Sequence, residues 1–234
     1  MASSKIFIIS LGGSIVAPKS GEVNISFLKK FKKLVLGFVN KGHSFVIVVG
    51  GGKLARVYQE EISNILKPSF EDKDWLGILT TRLNAQFVKI IFGDKAHSFI
   101  VTNPTLPIKT VKPIIISAGW KPGWSTDYIA VLLAKKFGAK EIINASNIPF
   151  VYSEDPKLAK VNGRKPKAIP KLFWKEYRKL IGGKWIPGLG VPIDPIAAKE
   201  AQKQGIKAII VLGTDLKNLK NLLSGKNFRG TTIA

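Results

Sequence analysis

Hydrophobic runs that stop on glycine clusters constrain this chain most. Lys5-Ile6-Phe7-Ile8-Ile9-Ser10-Leu11 runs into Gly12-Gly13-Ser14, and Ser44-Phe45-Val46-Ile47-Val48-Val49 runs into Gly50-Gly51-Gly52. Both runs read as buried strands. A glycine cluster at the C-terminal end of such a strand presents backbone N–H groups with no side chain in the way, and a following helix adds the positive end of its dipole. That combination binds phosphate. Two such junctions point to two phosphate-bearing ligands meeting across one sheet edge, and so to phosphoryl transfer.

Short β-branched runs alternate with longer amphipathic stretches, which predicts a mostly parallel sheet with helices on both faces. Strands are expected over 5–11, 44–49, 97–101, 113–117, 140–144, 207–212 and 230–233. Helices are expected over 26–40, 53–66, 75–92, 126–137, 169–181, 194–204 and 215–223. Asn24 or Ser26 suits the start of the first helix, and Asp194-Pro195 reads as a later helix start with proline at the first helical position. The segment 147–192 stands apart: Pro149, Pro156, Pro166, Pro170, Pro187 and Pro192 mark long loops around one helix bearing Phe173, Trp174 and Tyr177.

Composition narrows the chemistry. The 234 residues contain no cysteine, which removes disulfides, thiolate catalysis and cysteine-ligated metals, and suits a reducing cytoplasm. With only His43 and His97, a histidine-built metal site is not expected. No apolar run approaches the roughly 20 residues of a membrane span. Lys5 to Leu11 with Ala17 superficially resembles a secretory signal, but Gly12-Gly13 interrupts it before a long apolar core develops. The formal net charge of +22 favours the approach of anionic substrates. Its lysines are scattered rather than blocked, so dedicated nucleic-acid binding is not expected.

Four segments carry the candidate chemistry. The first is the Gly12-Gly13-Ser14 turn. In the second, Gly50-Gly51-Gly52-Lys53-Leu54-Ala55-Arg56, a helix follows the glycines and Arg56 lies one turn in, where it can face the same anion. The third runs from Ser117 to Asp127: Pro122-Gly123 makes a turn, Ser125 or Thr126 caps the next helix, and Asp127 lies in that helix's first turn. Fourth is Asn144 to Pro156, where aromatic Tyr152 precedes Asp155 by three residues and could sandwich a nucleobase and hold its ribose. None of these is a Walker A loop or a dinucleotide fingerprint. Each also has a plain structural reading, as a turn, an N-cap or a hairpin.

Taken in this order, the segments resemble the amino acid kinase family, most closely its archaeal-type uridylate kinases. The likeness adds Thr81-Arg82-Leu83-Asn84-Ala85, Ile193-Asp194-Pro195 and Gly230-Thr231-Thr232-Ile233. It implies a three-layer αβα fold in one domain, with an acceptor-binding lobe over about 1–125 and an ATP-binding lobe over about 126–234. It implies transfer of the ATP γ-phosphoryl group to UMP with Mg²⁺, in a homohexamer, with no metal ligand from the protein. Carried over residue by residue, Gly12, Gly13, Ser14, Gly52 and Arg56 would line the ATP phosphates, and Ser146, Tyr152 and Asp155 its adenosine end. Gly51, Asp74 and the stretch Trp120, Lys121, Pro122, Gly123, Trp124, Ser125 and Thr126 would hold UMP. Catalytic roles fall to Gly12, Arg56 and Asp127.

Three departures accompany the likeness. Ser10 stands where many relatives have lysine. Asn147-Ile148-Pro149-Phe150-Val151-Tyr152 replaces the usual Asn-Val-Asp-Gly-Val-Tyr, and phenylalanine does not take up glycine's positive φ cheaply, so a different loop path is expected. Trp120, Trp124 and Trp185-Ile186-Pro187-Gly188 bring bulk toward the acceptor. A sibling kinase acting on another small phosphate, such as isopentenyl phosphate, and a non-catalytic nucleotide-binding member are the alternatives.

Overall fold

The computed structural model describes residues 4–19, 21–154, 159, 161, 163, 165–183 and 190–234. Its main sheet contains β1 (Ile6–Leu11), β2 (Ser44–Val49), β3 (Ile114–Ser117), β4 (Glu141–Ser146), β7 (Lys171–Leu172), β8 (Lys207–Leu212) and β9 (Thr231–Ile233). The strand order is β3-β2-β1-β4-β8-β9-β7, and only the β8–β9 pairing is antiparallel. A two-residue ribbon, β5 (Val151–Tyr152) with β6 (Ala168–Ile169), stands apart.

The strands are apolar on both faces because both are covered. Phe7, Ile9, Leu11, Phe45, Ile47 and Val49 face one core with α2 (Ile25–Val39), α4 (Phe70–Phe92) and α8 (Leu216–Leu223). Ile8, Val46 and Val48 face the other, with α5 (Thr126–Lys136), α6 (Trp174–Ile181) and α7 (Pro195–Gln204). This period of two produces the expected three layers. Two further helices, α1 (Gly13–Val16) and α3 (Gly52–Ile65), begin at the glycine turns.

Asn24 caps α2 by accepting the Phe27 amide, and Asp194 caps α7 with Pro195 at its first position. Other boundaries move. The helix expected from 75 begins at Phe70, because Ser69 and Asp72 form a capping box. Asp74 is therefore inside α4 rather than before it. The stretch expected as a strand over 97–101 touches β3 only through bridges at Ala96–Ile114 and Val101–Ser117. Five steps along one side face three along the other, so no parallel register can be kept. The helix expected from 169 starts at Trp174, since Lys171 and Leu172 first pair with Thr232 and Ile233.

Successive strands step outward from β1 in one direction and from β4 in the other. The crevice at their carboxyl ends is the switch point where α/β sheets bind ligands.

Candidate active site

The carboxyl ends of β1, β2 and β3 carry the glycine-rich turns, and the two nearest turns pack backbone against backbone. A Cβ on Gly13 would lie 2.2 Å from the Gly52 nitrogen and 2.4 Å from the Gly50 carbonyl oxygen. Only glycine allows this approach. Gly52 has φ of 74°, which glycine alone adopts readily. The Gly12 amide is not available to an anion, because it donates to the Ala145 carbonyl at 3.0 Å. Gly13 and Ser14, which open α1, are the first-turn residues whose N–H groups a helix leaves without an internal acceptor.

Beside these turns lies a cavity of about 200 Å³. Gly51, Gly52 and Arg56 from the second turn meet Trp124, Ser125, Thr126 and Asp127 from the third segment there, together with Asp74 and Asp194. Arg56 has no ion-pair partner among the described residues. Gly12, Gly13, Ser14, Ser146 and Tyr152 do not line this cavity. Gly12 and Ser146 stand at the ends of neighbouring β1 and β4, with Ser146 half-buried and Tyr152 on the short ribbon. Asp155 and Trp185 to Gly188 lie outside the described residues. Trp120, Lys121, Pro122 and Gly123 flank the cavity rather than line it; Lys121 instead places its ammonium 4.5 Å from the Trp120 ring centre. Trp124 stacks on Tyr128 at 4.4 Å.

Two carboxylates meet at the helix starts. Asp127 Oδ1 accepts from the Ser10 hydroxyl at 2.9 Å and from Asn144 Nδ2 at 3.1 Å. Enclosure by protein, reinforced by the charge of nearby Asp194, pushes the Asp127 carboxyl up to about 7. Asp194 accepts the Ile196 and Ala197 amides on Oδ1 and the Ser125 hydroxyl on Oδ2. Ser125 also accepts the Tyr128 amide, so this contact ties the starts of α5 and α7 together. Burial raises Asp194 as well, against the pull of those donors. Ser10 thus serves as a neutral donor to a carboxyl that burial already discourages from ionising.

One helix sets the cavity's other wall. Asn84 Nδ2 of α4 donates to the Gly50 and Gly51 carbonyls at 2.9 and 3.1 Å. Thr81 Oγ1 accepts the Gly119 amide at 2.7 Å. Arg82 donates through Nε to the Gly119 carbonyl and through Nη2 to the Trp120 carbonyl. Asp74 Oδ2 accepts the Gly123 amide at 2.6 Å, and burial holds its carboxyl above the ordinary value.

A family profile matches residues 5–212 and describes the amino acid kinase family. The chain belongs to the amino acid kinase family. Among relatives of this amino acid kinase, uridylate kinase of Pyrococcus abyssi is 31% identical over 229 residues, covering 97% of this chain and 98% of its own. Uridylate kinase of Methanospirillum hungatei is 33% identical, covering 97% and 93%. In structure, uridylate kinase from Archaeoglobus fulgidus superposes with a TM-score of 0.77 at 28% identity, covering 99% of this chain and all of its own.

Asp194, Thr81 and Asn84 have structural roles in this kinase that sequence reasoning did not assign. Asp194 read only as a helix start. Thr81 and Asn84 had a visible signal: polar residues three apart on a helix whose neighbours Ile78, Ala85 and Val88 are core.

Proposed function

We propose that this chain is a uridylate kinase that transfers the γ-phosphoryl group of ATP to UMP. The observation that carries the reading is the single cavity joining Gly51, Gly52 and Arg56 of one strand-end turn to Trp124 through Asp127 of another. Relatives named uridylate kinase along nearly the full chain support it. In this reading the 1–125 lobe takes the acceptor and the 126–234 lobe takes ATP. Gly13, Ser14, Gly52 and Arg56 cradle the transferring phosphates. Ser146, Tyr152 and Asp155 meet the adenosine end, with Phe150 and Pro149 altering that loop. Gly51, Asp74 and the Trp120–Thr126 segment hold UMP.

Phosphoryl transfer passes through a loose transition state, so the protein's task is positioning and charge stabilisation. Arg56 supplies fixed positive potential beside the turn amides. Asp127 accepts from Ser10 and Asn144 on Oδ1 and lines the cavity. From there its carboxylate would orient Mg²⁺, which is held chiefly by substrate phosphates and water. When bound, Mg²⁺ neutralises charge on the transferring phosphates. No cluster of three metal-ligating side chains occurs among the described residues.

The homohexamer belongs to the same proposal. Leu79, Leu83, Phe87 and Ile90 form an exposed, charge-free stripe along α4, a surface suited to self-association. So does a cytoplasmic setting; no helix among the described residues is long and apolar enough to cross a membrane.

The test follows ADP release from ATP·Mg²⁺ with UMP, CMP, dUMP and isopentenyl phosphate as acceptors. UMP-dependent turnover is expected. Turnover only with isopentenyl phosphate, or nucleotide binding without turnover, overturns the reading.

A further inference from the structure

Helices α6 and α7 pack against each other and border a second cavity of about 790 Å³. Among the described residues its charged lining is Lys175, Arg178, Lys179 and Lys199, with no carboxylate. Lys175, Arg178 and Lys179 fall at i, i+3 and i+4, so one face of α6 carries three like charges that repel one another. Lys199 adds a fourth from α7. The acids nearest in sequence are engaged elsewhere: Glu176 accepts the Phe173 amide and Glu200 accepts from Gln204. Lys19–Glu22 is the only ion pair among the described residues, so no described carboxylate neutralises these four cations.

The cluster is also partly organised. Arg178 Nη1 donates to Gln202 Oε1 at 2.9 Å, which anchors the guanidinium across the helix pair and leaves its other N–H groups for a ligand. The start of α7 does not contribute its amides, because Ile196 donates to Asp194. Recognition therefore falls to side chains. The site is distinct from the catalytic cavity, which shares none of its lining residues.

We infer that this second cavity binds a compact, multiply charged phosphate anion. A monovalent ion would leave most of the four cations uncompensated, whereas a polyphosphate matches them with charge-assisted hydrogen bonds. A nucleic-acid strand would call for a longer basic track than two helix faces provide.

Isothermal titration of the full chain with inorganic tripolyphosphate tests this. Two binding events are expected, one weakened at least tenfold by Arg56→Ala and the other by Arg178→Ala with Lys199→Ala. Lys175→Gln with Lys179→Gln, a milder surface change, should weaken the same second event. UMP-dependent turnover should survive both double variants. A lone event removed by the α6–α7 variants would uphold this site while counting against the catalytic reading. A lone event removed by Arg56→Ala, or two events indifferent to both double variants, would overturn it. Displacement of tripolyphosphate from the second site by a short single-stranded oligonucleotide would also overturn it, in favour of a nucleic-acid surface.

Discussion

The two glycine turns look alike in sequence and do different work. The turn after β2 opens onto the cavity: Gly51 and Gly52 line it, and Arg56 follows one helical turn later. The turn after β1 does not line it. Gly12 bonds back to Ala145, and Gly13 is wedged against the Gly50 and Gly52 backbone. Glycine is required in both turns to let backbone meet backbone, since a Cβ on Gly50 or Gly52 would lie 2.7 or 2.6 Å from the Gly13 backbone; only the turn after β2 also lines the cavity. A phosphate-binding signature therefore cannot be told from a packing one until the partner strand is placed beside it.

Substitutions at the two turns should separate these jobs. Gly13→Ala should have the largest effect, since its Cβ would sit 2.2 Å from a backbone nitrogen that cannot step aside. Overpacking of this kind costs about 3 kcal/mol or more, so chemical denaturation should show a large loss of stability along with lost activity. A near-normal unfolding midpoint would mean the turns are not packed as described.

Arg56→Ala should do the reverse: normal folding, with turnover down about a hundredfold, in line with the loss of one electrostatic donor. Unchanged turnover would remove Arg56 from the chemistry.

Asp127→Asn probes the wall both turns face. The folded carboxyl is raised from 3.8 to about 7, so between those values the native state holds the extra proton. Stability contributed at this position falls as pH rises through that window and levels off above it. The variant should lose turnover yet gain stability at pH 8, on the order of 4 kcal/mol, with little gain at pH 4. A gain independent of pH in thermal unfolding would contradict the burial argument.

The smallest effect is expected from Asn84→Ala. Removing the donor to the Gly50 and Gly51 carbonyls should cost about 1–2 kcal/mol and raise the KM for acceptor more than it lowers kcat, because only the open turn loosens. Equal changes in both parameters would place Asn84 in the reacting geometry itself.

Much of the fold was legible because the signals were local. Uninterrupted apolar runs gave β1 and β2, and Asp194-Pro195 gave the start of α7. The early start of α4 was missed because Asp72 serves where glutamate or glutamine usually completes the box. The stretch 97–101 has strand-like composition, but whether it pairs depends on β3 and not on itself. Phe150 behaves as its chemistry demands: no described non-glycine residue has positive φ, and its ring packs 6.5 Å from Tyr152.

From the chain alone came the layers, the strand-end turns and the family, because hydrophobic period, glycine placement and motif spacing are written along the backbone. Tertiary structure alone decided that Gly13 and Gly52 wedge against each other while only Gly52 lines the cavity, and that Asp127 confronts Asp194 across a gap of 66 intervening residues. It also decided that Thr81, Arg82 and Asn84 staple two loops from one helix. Such roles depend on which groups share a small space and how little water reaches them, and chain order records neither.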